Sequence, residues 1–119
     1  VTAPDQSPAL GPGQLVAAAT VALEHEPLPT EQVVAGSPTT GTLVLDGSGD
    51  REVGVWEMSP GTSTDTEADE LFIVLSGRAT VTGAAPAPLE LGPGDVVRLT
   101  AGMQTTWTVH ETLRKVYLA

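Results

Sequence analysis

The chain has 119 residues, a formal net charge of −10 and no cysteine. The length suits one domain. The charge argues against nucleic acid, whose binding rests on Lys and Arg at phosphates, and against an anionic membrane surface; we read it as solubilising. The missing cysteines exclude disulfides, thiolate metal sites and thiol nucleophiles. Thirteen Gly and ten Pro punctuate the chain, as expected of many short strands joined by turns.

Residues 1–13 (VTAPDQSPALGPG) read as a flexible or loosely docked arm, and residues 14–119 as one β-domain. The run 14–24 mixes Ala, which favours helix, with Val16, Thr20 and Val21, which favour strand; we expect a strand. The apolar part of this run is too short to span a bilayer, and no Lys or Arg precedes it, so a cytoplasmic protein is expected. Residues 25–29 (HEPLP) are extended ahead of their prolines. Residues 30–34 suit one helical turn with Thr30 as cap, and 35–40 a loop. Strands follow at 41–45 and 51–58, joined by the turn DGSGD, and Gly54 marks a bulge or a close backbone approach. Residues 62–69 (TSTDTEAD) read as an acidic loop. The stretch 70–75 (ELFIVL) is apolar without alternation, so both its faces should be covered. Ser76-Gly77-Arg78 is expected to turn the chain into a strand at 79–82. Short strands then fall at 89–91, 96–99, 105–110 and 113–118. About nine strands at near-regular spacing predict an all-β sandwich or jelly-roll barrel.

Three features together resemble the cupin superfamily. The first is Pro60-Gly61, a polar loop, and Glu70 followed by six residues and then Gly77. The second is Gly94-Asp95, Thr100-Ala101-Gly102 and Trp107. The third is the run from Trp107 to Tyr117, which with GVWEMSPG at 54–61 is similar to the branch holding ureidoglycine aminohydrolase and the ethanolamine-utilisation cupin. The resemblance implies a single-domain double-stranded β-helix, that is, a jelly-roll barrel. It also implies where a metal would sit: two His and a Glu from the first motif, and a His from the second. Those positions here are Thr64 and Thr66 (or Ser63 and Asp65, one residue earlier), Glu70 and Thr105. Only Glu70 survives, and Thr hydroxyls are poor ligands for Mn, Fe, Ni or Zn. We therefore expect no metal and no cofactor.

Glu70, a carboxylate at the mouth of a buried strand, is the candidate catalytic acid or base; the alternative is a salt bridge to Arg98, Arg114 or Lys115. Phe72 shares its face and is expected on the pocket floor. Thr105 and Trp107 share a face, which places an indole where it can stack a planar ligand. Thr64, Thr66 and Thr105 would form a hydroxyl wall. Trp56 and Glu57 face opposite ways, so at most one meets the cavity. Tyr117 is either a pocket acid or a packed aromatic. Asp65, Glu67, Asp69 and Glu70 form an acidic cluster whose oxygens could suit Mg²⁺ or Ca²⁺, but without regular ligand spacing it reads as a solvated acidic loop, and His110 reads as a surface or interface residue facing away from Trp107. Leu71, Ile73 and Leu75 form the opposite face of the central strand, which a second sheet would cover most simply and a partner subunit next; a homodimer is expected, with the N-terminal segment helping to cover the partner.

Four functional readings follow. One is a metal-free acid/base enzyme that binds a small polar or ring-containing molecule. The second is a non-catalytic small-molecule-binding or accessory domain. The third is an aminohydrolase-like metal enzyme with a carboxylate-rich site, and the fourth a structural interaction module.

Overall fold

The computed structural model describes residues 10–47 and 49–119. Nine strands and one short helix follow in order: β1 (His25–Pro27), a 3-10 turn (Thr30–Gln32), β2 (Val33–Ala35), β3 (Thr39–Asp46), β4 (Val53–Met58), β5 (Gly61–Thr66), β6 (Glu70–Thr82), β7 (Leu89–Leu91), β8 (Val96–Leu99) and β9 (Gln104–Leu118). All pairings are antiparallel and all strands belong to one sheet. No helix among the described residues is long and apolar enough to cross a membrane.

The sheet is built on β6 and β9. The path β1-β3-β4-β9-β5-β2 carries β4 on one half of β9 and β5 on the other, while β6 pairs along almost the whole of β9 and carries β7 and β8. The sheet therefore curls around one interior, as expected of a jelly-roll barrel. Side chains alternate along each strand, so one set fills that interior: Met58, Phe72, Val74, Ala79, Val81, Leu91, Leu99, Trp107, Val109, Leu113 and Tyr117. Burying an aliphatic or aromatic side chain of this size contributes about 1.5–3 kcal/mol.

Several local expectations are corrected. Residues 76–78 do not form a hairpin turn. The chain runs through them as a single strand that bends, with register shifts against β9 between Val74 and Ala79. Gly77 takes φ +92°, and a Cβ there would collide with the Thr112 carbonyl oxygen, so the bend depends on glycine. Strands 105–110 and 113–118 are likewise one strand, β9. The polar segment 62–69 is mostly strand: β5 inserts between β9 and β2, and its polar residues face the interior opening and solvent. Val33–Ala35, taken for the end of a helical turn and the start of a loop, is the short edge strand β2. The 3-10 turn forms, but Pro29, not Thr30, precedes it as N-cap.

The run 14–24 is not a strand. It folds over the sheet through a turn, with Thr20 and Val21 amides donating to the Ala17 carbonyl, and it precedes the short edge strand β1. Of the expected arm, residues 1–9 lie outside the described residues; the Leu10 amide donates to Leu45 at 3.4 Å. The DGSGD turn joins β3 to β4, with Ser48 outside the described residues. Gly54 marks a close approach: a Cβ there would sit 2.6 Å from the Tyr117 hydroxyl.

Candidate functional site

The barrel mouth holds a cavity of about 300 Å³. Its walls come from β3, β4, β5, β6 and β9 and from the connections beside them. The segment 25–32 gives Leu28 and Gln32, β3 gives Thr40 and Thr42, β4 gives Trp56 and Met58, β5 gives Ser63, Thr64 and Asp65, and β9 gives Trp107, Lys115 and Tyr117. Glu52, Glu67 and Glu70 complete it.

Glu70 enters the cavity at the start of β6, where it is expected, and Lys115 meets it from β9 with Nζ donating to Oε2 at 2.6 Å. The two side chains are only 17% and 7% exposed. Of the three cations considered for Glu70, Arg98 is exposed and Arg114 lies on the outer face. The Lys115 ammonium is also held over three rings: Phe72 at 4.3 Å, Trp56 at 4.6 Å and Trp107 at 4.9 Å from Nζ to the centroid. The rings support one another, with Trp107 tilted 5.8 Å from Trp56 and 5.7 Å from Phe72. A buried ion pair repays its desolvation only with such supporting contacts.

The second polar group sits across the β5–β9 edge. The indole N–H of Trp107 donates to Glu67 Oε2 at 3.0 Å and to Thr105 Oγ1 at 3.1 Å, and Thr105 donates to the same Glu67 oxygen at 2.5 Å. Glu67 is buried; Asp65, its neighbour, also faces the cavity. Burial, then the adjacent Glu67 charge, push the Asp65 carboxyl above its ordinary range, outweighing the Thr66 amide and the attraction of Lys115. On another wall, Tyr117 donates its hydroxyl to Glu52 at 2.6 Å. Burial, the bond to Glu52 and the charges of Glu52 and Glu70 raise the phenol far above its ordinary value, so it serves as a donor and not as an acid at neutral pH.

The expected site residues sort as follows. Glu70, Trp107, Trp56, Tyr117 and Thr64 line the cavity. Phe72 is not on its floor: it is wholly buried, behind Lys115 and Trp107. Thr105 faces inward with Trp107 as expected, but it lines a shallower depression beside the cavity, and Thr66 also lies there. The hydroxyl wall exists with a different membership: Thr40, Thr42, Ser63 and Thr64. Glu67 is not part of a solvated loop but is buried beneath Trp107. Lys115 enters the site as a cavity-lining group rather than only a partner. A parity signal for it existed, because Trp107, Leu113, Lys115 and Tyr117 share one odd register along β9; the assumed break at residues 111–112 hid it.

The donor set does not fit the metal that the fold family implies. Positions 64, 66 and 105 are Thr, and the one surviving carboxylate is paired with Lys115. Both histidines are engaged elsewhere: His25 with Glu57 and Thr39, and His110 with Thr80. Among the described residues no three His, Cys, Asp or Glu side chains converge as a metal site.

Comparison with known proteins agrees with this architecture. The model of the EutQ-like cupin domain matches residues 45–117. Among solved structures, a protein of unknown function from Rhizobium leguminosarum bv. viciae 3841 is similar at 27% identity and a TM-score of 0.60, over 66% of this chain and 78% of that one. A DUF861-family protein of unknown function from Pseudomonas syringae pv. tomato str. DC3000 is similar at 22% identity and 0.72, over 84% and 45%. The EutQ protein of Clostridium difficile is similar at 20% identity and 0.60, over 68% and 61%. The chain thus spans less than two thirds of the last two. No curated protein matches it significantly.

Proposed function

The chain belongs to the EutQ-like cupin domain family, and on that footing we propose that it binds a small polar or ring-containing molecule in its barrel mouth and exchanges a proton with it through Glu70. The observation that carries this reading is the Lys115–Glu70 pair, which is buried yet lines an open cavity of about 300 Å³. A charged pair of this kind adds little net stability compared with apolar packing. Its placement at the cavity wall therefore favours a chemical role. Glu70 accepts or returns the proton, and Lys115 holds the compensating charge beside it. The two indoles offer faces to a planar group, and the hydroxyls of Thr40, Thr42, Ser63 and Thr64 orient polar atoms.

The test is a ligand screen by thermal shift on wild type, E70Q and K115M, with each hit incubated with wild type and re-examined by mass spectrometry. A hit that wild type converts and E70Q binds without converting supports the acid/base role. Hits that bind and are never converted leave the non-catalytic binding module, which uses the same cavity. The aminohydrolase-like metal enzyme has a separate test, elemental mass spectrometry on protein purified without chelator. Near-stoichiometric Mn, Fe, Ni or Zn would overturn the metal-free reading.

A further inference from the structure

The charges around the cavity do not balance. Glu52, Asp65, Glu67 and Glu70 line it, and Lys115 is the one Lys or Arg on its wall among the described residues. Lys115 is already matched by Glu70 at 2.6 Å, so that pair is close to neutral. Among the described residues Glu67 receives neutral donors, the Thr105 hydroxyl and the Trp107 indole, and no ion pair joins Asp65 to a basic side chain, although Lys115 attracts it from a distance and Glu67 shares a hydrogen bond with it. Glu52 likewise receives the neutral Tyr117 hydroxyl. Losing a proton is disfavoured both at Asp65 and at Tyr117, chiefly by burial, and neighbouring carboxylates add to it.

The aromatic walls point the same way. The faces of Trp56, Phe72 and Trp107 already surround an ammonium at 4.3–4.9 Å. Ring faces carry negative electrostatic potential and attract cations, more strongly once desolvated. Both indoles also line the cavity. A neutral ligand leaves the surplus carboxylates uncompensated, and an anion adds to them.

Resting on the reading that this cavity takes a small molecule, we infer that its ligand is a small organic cation, an ammonium compound seated between the Asp65–Glu67 carboxylates and the Trp56 and Trp107 rings. The Lys115–Glu70 pair then lies beside the ligand rather than opposing its charge. The cavity is at the small end of ligand pockets, which suits a compact ammonium compound.

The chain has two tryptophans, and both line the cavity, so intrinsic fluorescence reports on this site. The probes are choline and butylammonium as cations, neohexyl alcohol as the neutral carbon isostere of choline, and tert-butylacetate as an anion of similar shape. Titration with either cation should give a saturable change, with a dissociation constant about tenfold below that of the alcohol. The cation affinity should fall as NaCl is raised, because part of it is Coulombic. D65N and E67Q should each weaken choline by about fivefold to tenfold and leave the alcohol unchanged. Asp65 is at the exposed rim, so D65N tests the idea even if E67Q disturbs the Trp107 and Thr105 hydrogen bonds. Equal binding of the alcohol, or tighter binding of tert-butylacetate, would overturn the cation assignment while leaving the cavity as a binding site. No response to any of the three classes would overturn both.

Discussion

Arg114 and Lys115 are consecutive residues on β9, both nearly buried and both paired with a glutamate, yet they serve opposite faces of the sheet. Arg114 points outward. Its Nε donates to Glu57 at 2.8 Å, and Nη1 donates to the carbonyls of Ala18 at 2.9 Å and Val21 at 2.7 Å. Glu57 also accepts from His25 Nε2 at 2.7 Å, and His25 meets the Thr39 hydroxyl at 2.8 Å. This guanidinium is surrounded by fixed acceptors and ties the segment 17–25 to the barrel. Lys115 points inward, with one carboxylate, three rings and open space. A planar fork suits several fixed acceptors, whereas a single ammonium on a flexible stem suits a group that must shift its partner. The difference separates an ion pair that closes the structure from one that opens onto a cavity.

The largest expected effect is on the outer pair. R114M leaves the half-buried Glu57 carboxylate with His25 as its remaining partner and removes the donors to two carbonyls, so a loss of about 3 kcal/mol is expected in urea unfolding. Hydrogen exchange should show residues 17–25 losing protection. A loss below about 1 kcal/mol would place Arg114 among ordinary surface charges. The inner pair should behave differently. K115M is expected to cost about 2 kcal/mol, and the double variant K115M/E70Q should recover most of it, since removing both partners leaves no buried charge. Failure to recover would mean that the ammonium's contacts with the three rings, not the ion pair, carry the stabilisation.

The acid limb of the stability curve sharpens the same contrast. Burial alone would raise the Glu57 pKa, but the hydrogen bonds and charges of His25 and Arg114 win, and it lies below its ordinary value of 4.5. A carboxyl lowered in the folded state binds fewer protons there than when unfolded. Its contribution is therefore present above the unfolded pKa and is lost as pH falls through the folded one. E57Q should flatten that limb in pH-dependent melting. Asp65 has the opposite sign. Its folded pKa is raised, so the folded state carries a penalty once pH passes above it, and D65N should be slightly stabilising at neutral pH and without effect in acid. The smallest effect is expected from a change in association. The segment 17–25 does not extend over Val96, Ile73 and Leu118, which remain 59%, 38% and 41% exposed. We propose that a second copy covers this stripe, whose strands are hydrogen-bonded neighbours. Light scattering should give twice the chain mass, and V96D should reduce it to one; a monomeric wild type would sink the proposal.

The fold was legible because strand length, turn punctuation and the spacing from Glu70 to Gly77 all agree with one architecture. Most of the inner wall was legible too, since alternation around Glu70 and Trp107 is a local rule. The errors share a physical origin. Ser76-Gly77-Arg78 has the composition of a turn, but here glycine serves a bend within a strand, and β9 runs on unbroken opposite it through Glu111 and Thr112. Splitting β6 and β9 there hid the register that places Lys115 beside Trp107 and Tyr117. The polar run TSTDT gives no apolar alternation because its interior neighbours are a polar cavity. The run 14–24 has strand-forming residues but pairs with no strand, and two of its carbonyls are met instead by Arg114, 93 and 96 residues away in sequence.

Because β9 alone joins β4, β5 and β6, the sheet has no middle without it. Before β9 docks, the chain can form only separate pieces: β1, β3 and β4 in one, β2 and β5 in another, and β6 with β7 and β8 in a third. Each is a small sheet with one bare face and an open edge, marginal in water. Ordering therefore depends on long loop closures made late and together, which predicts slow refolding and a single cooperative transition rather than stepwise loss of the three pieces.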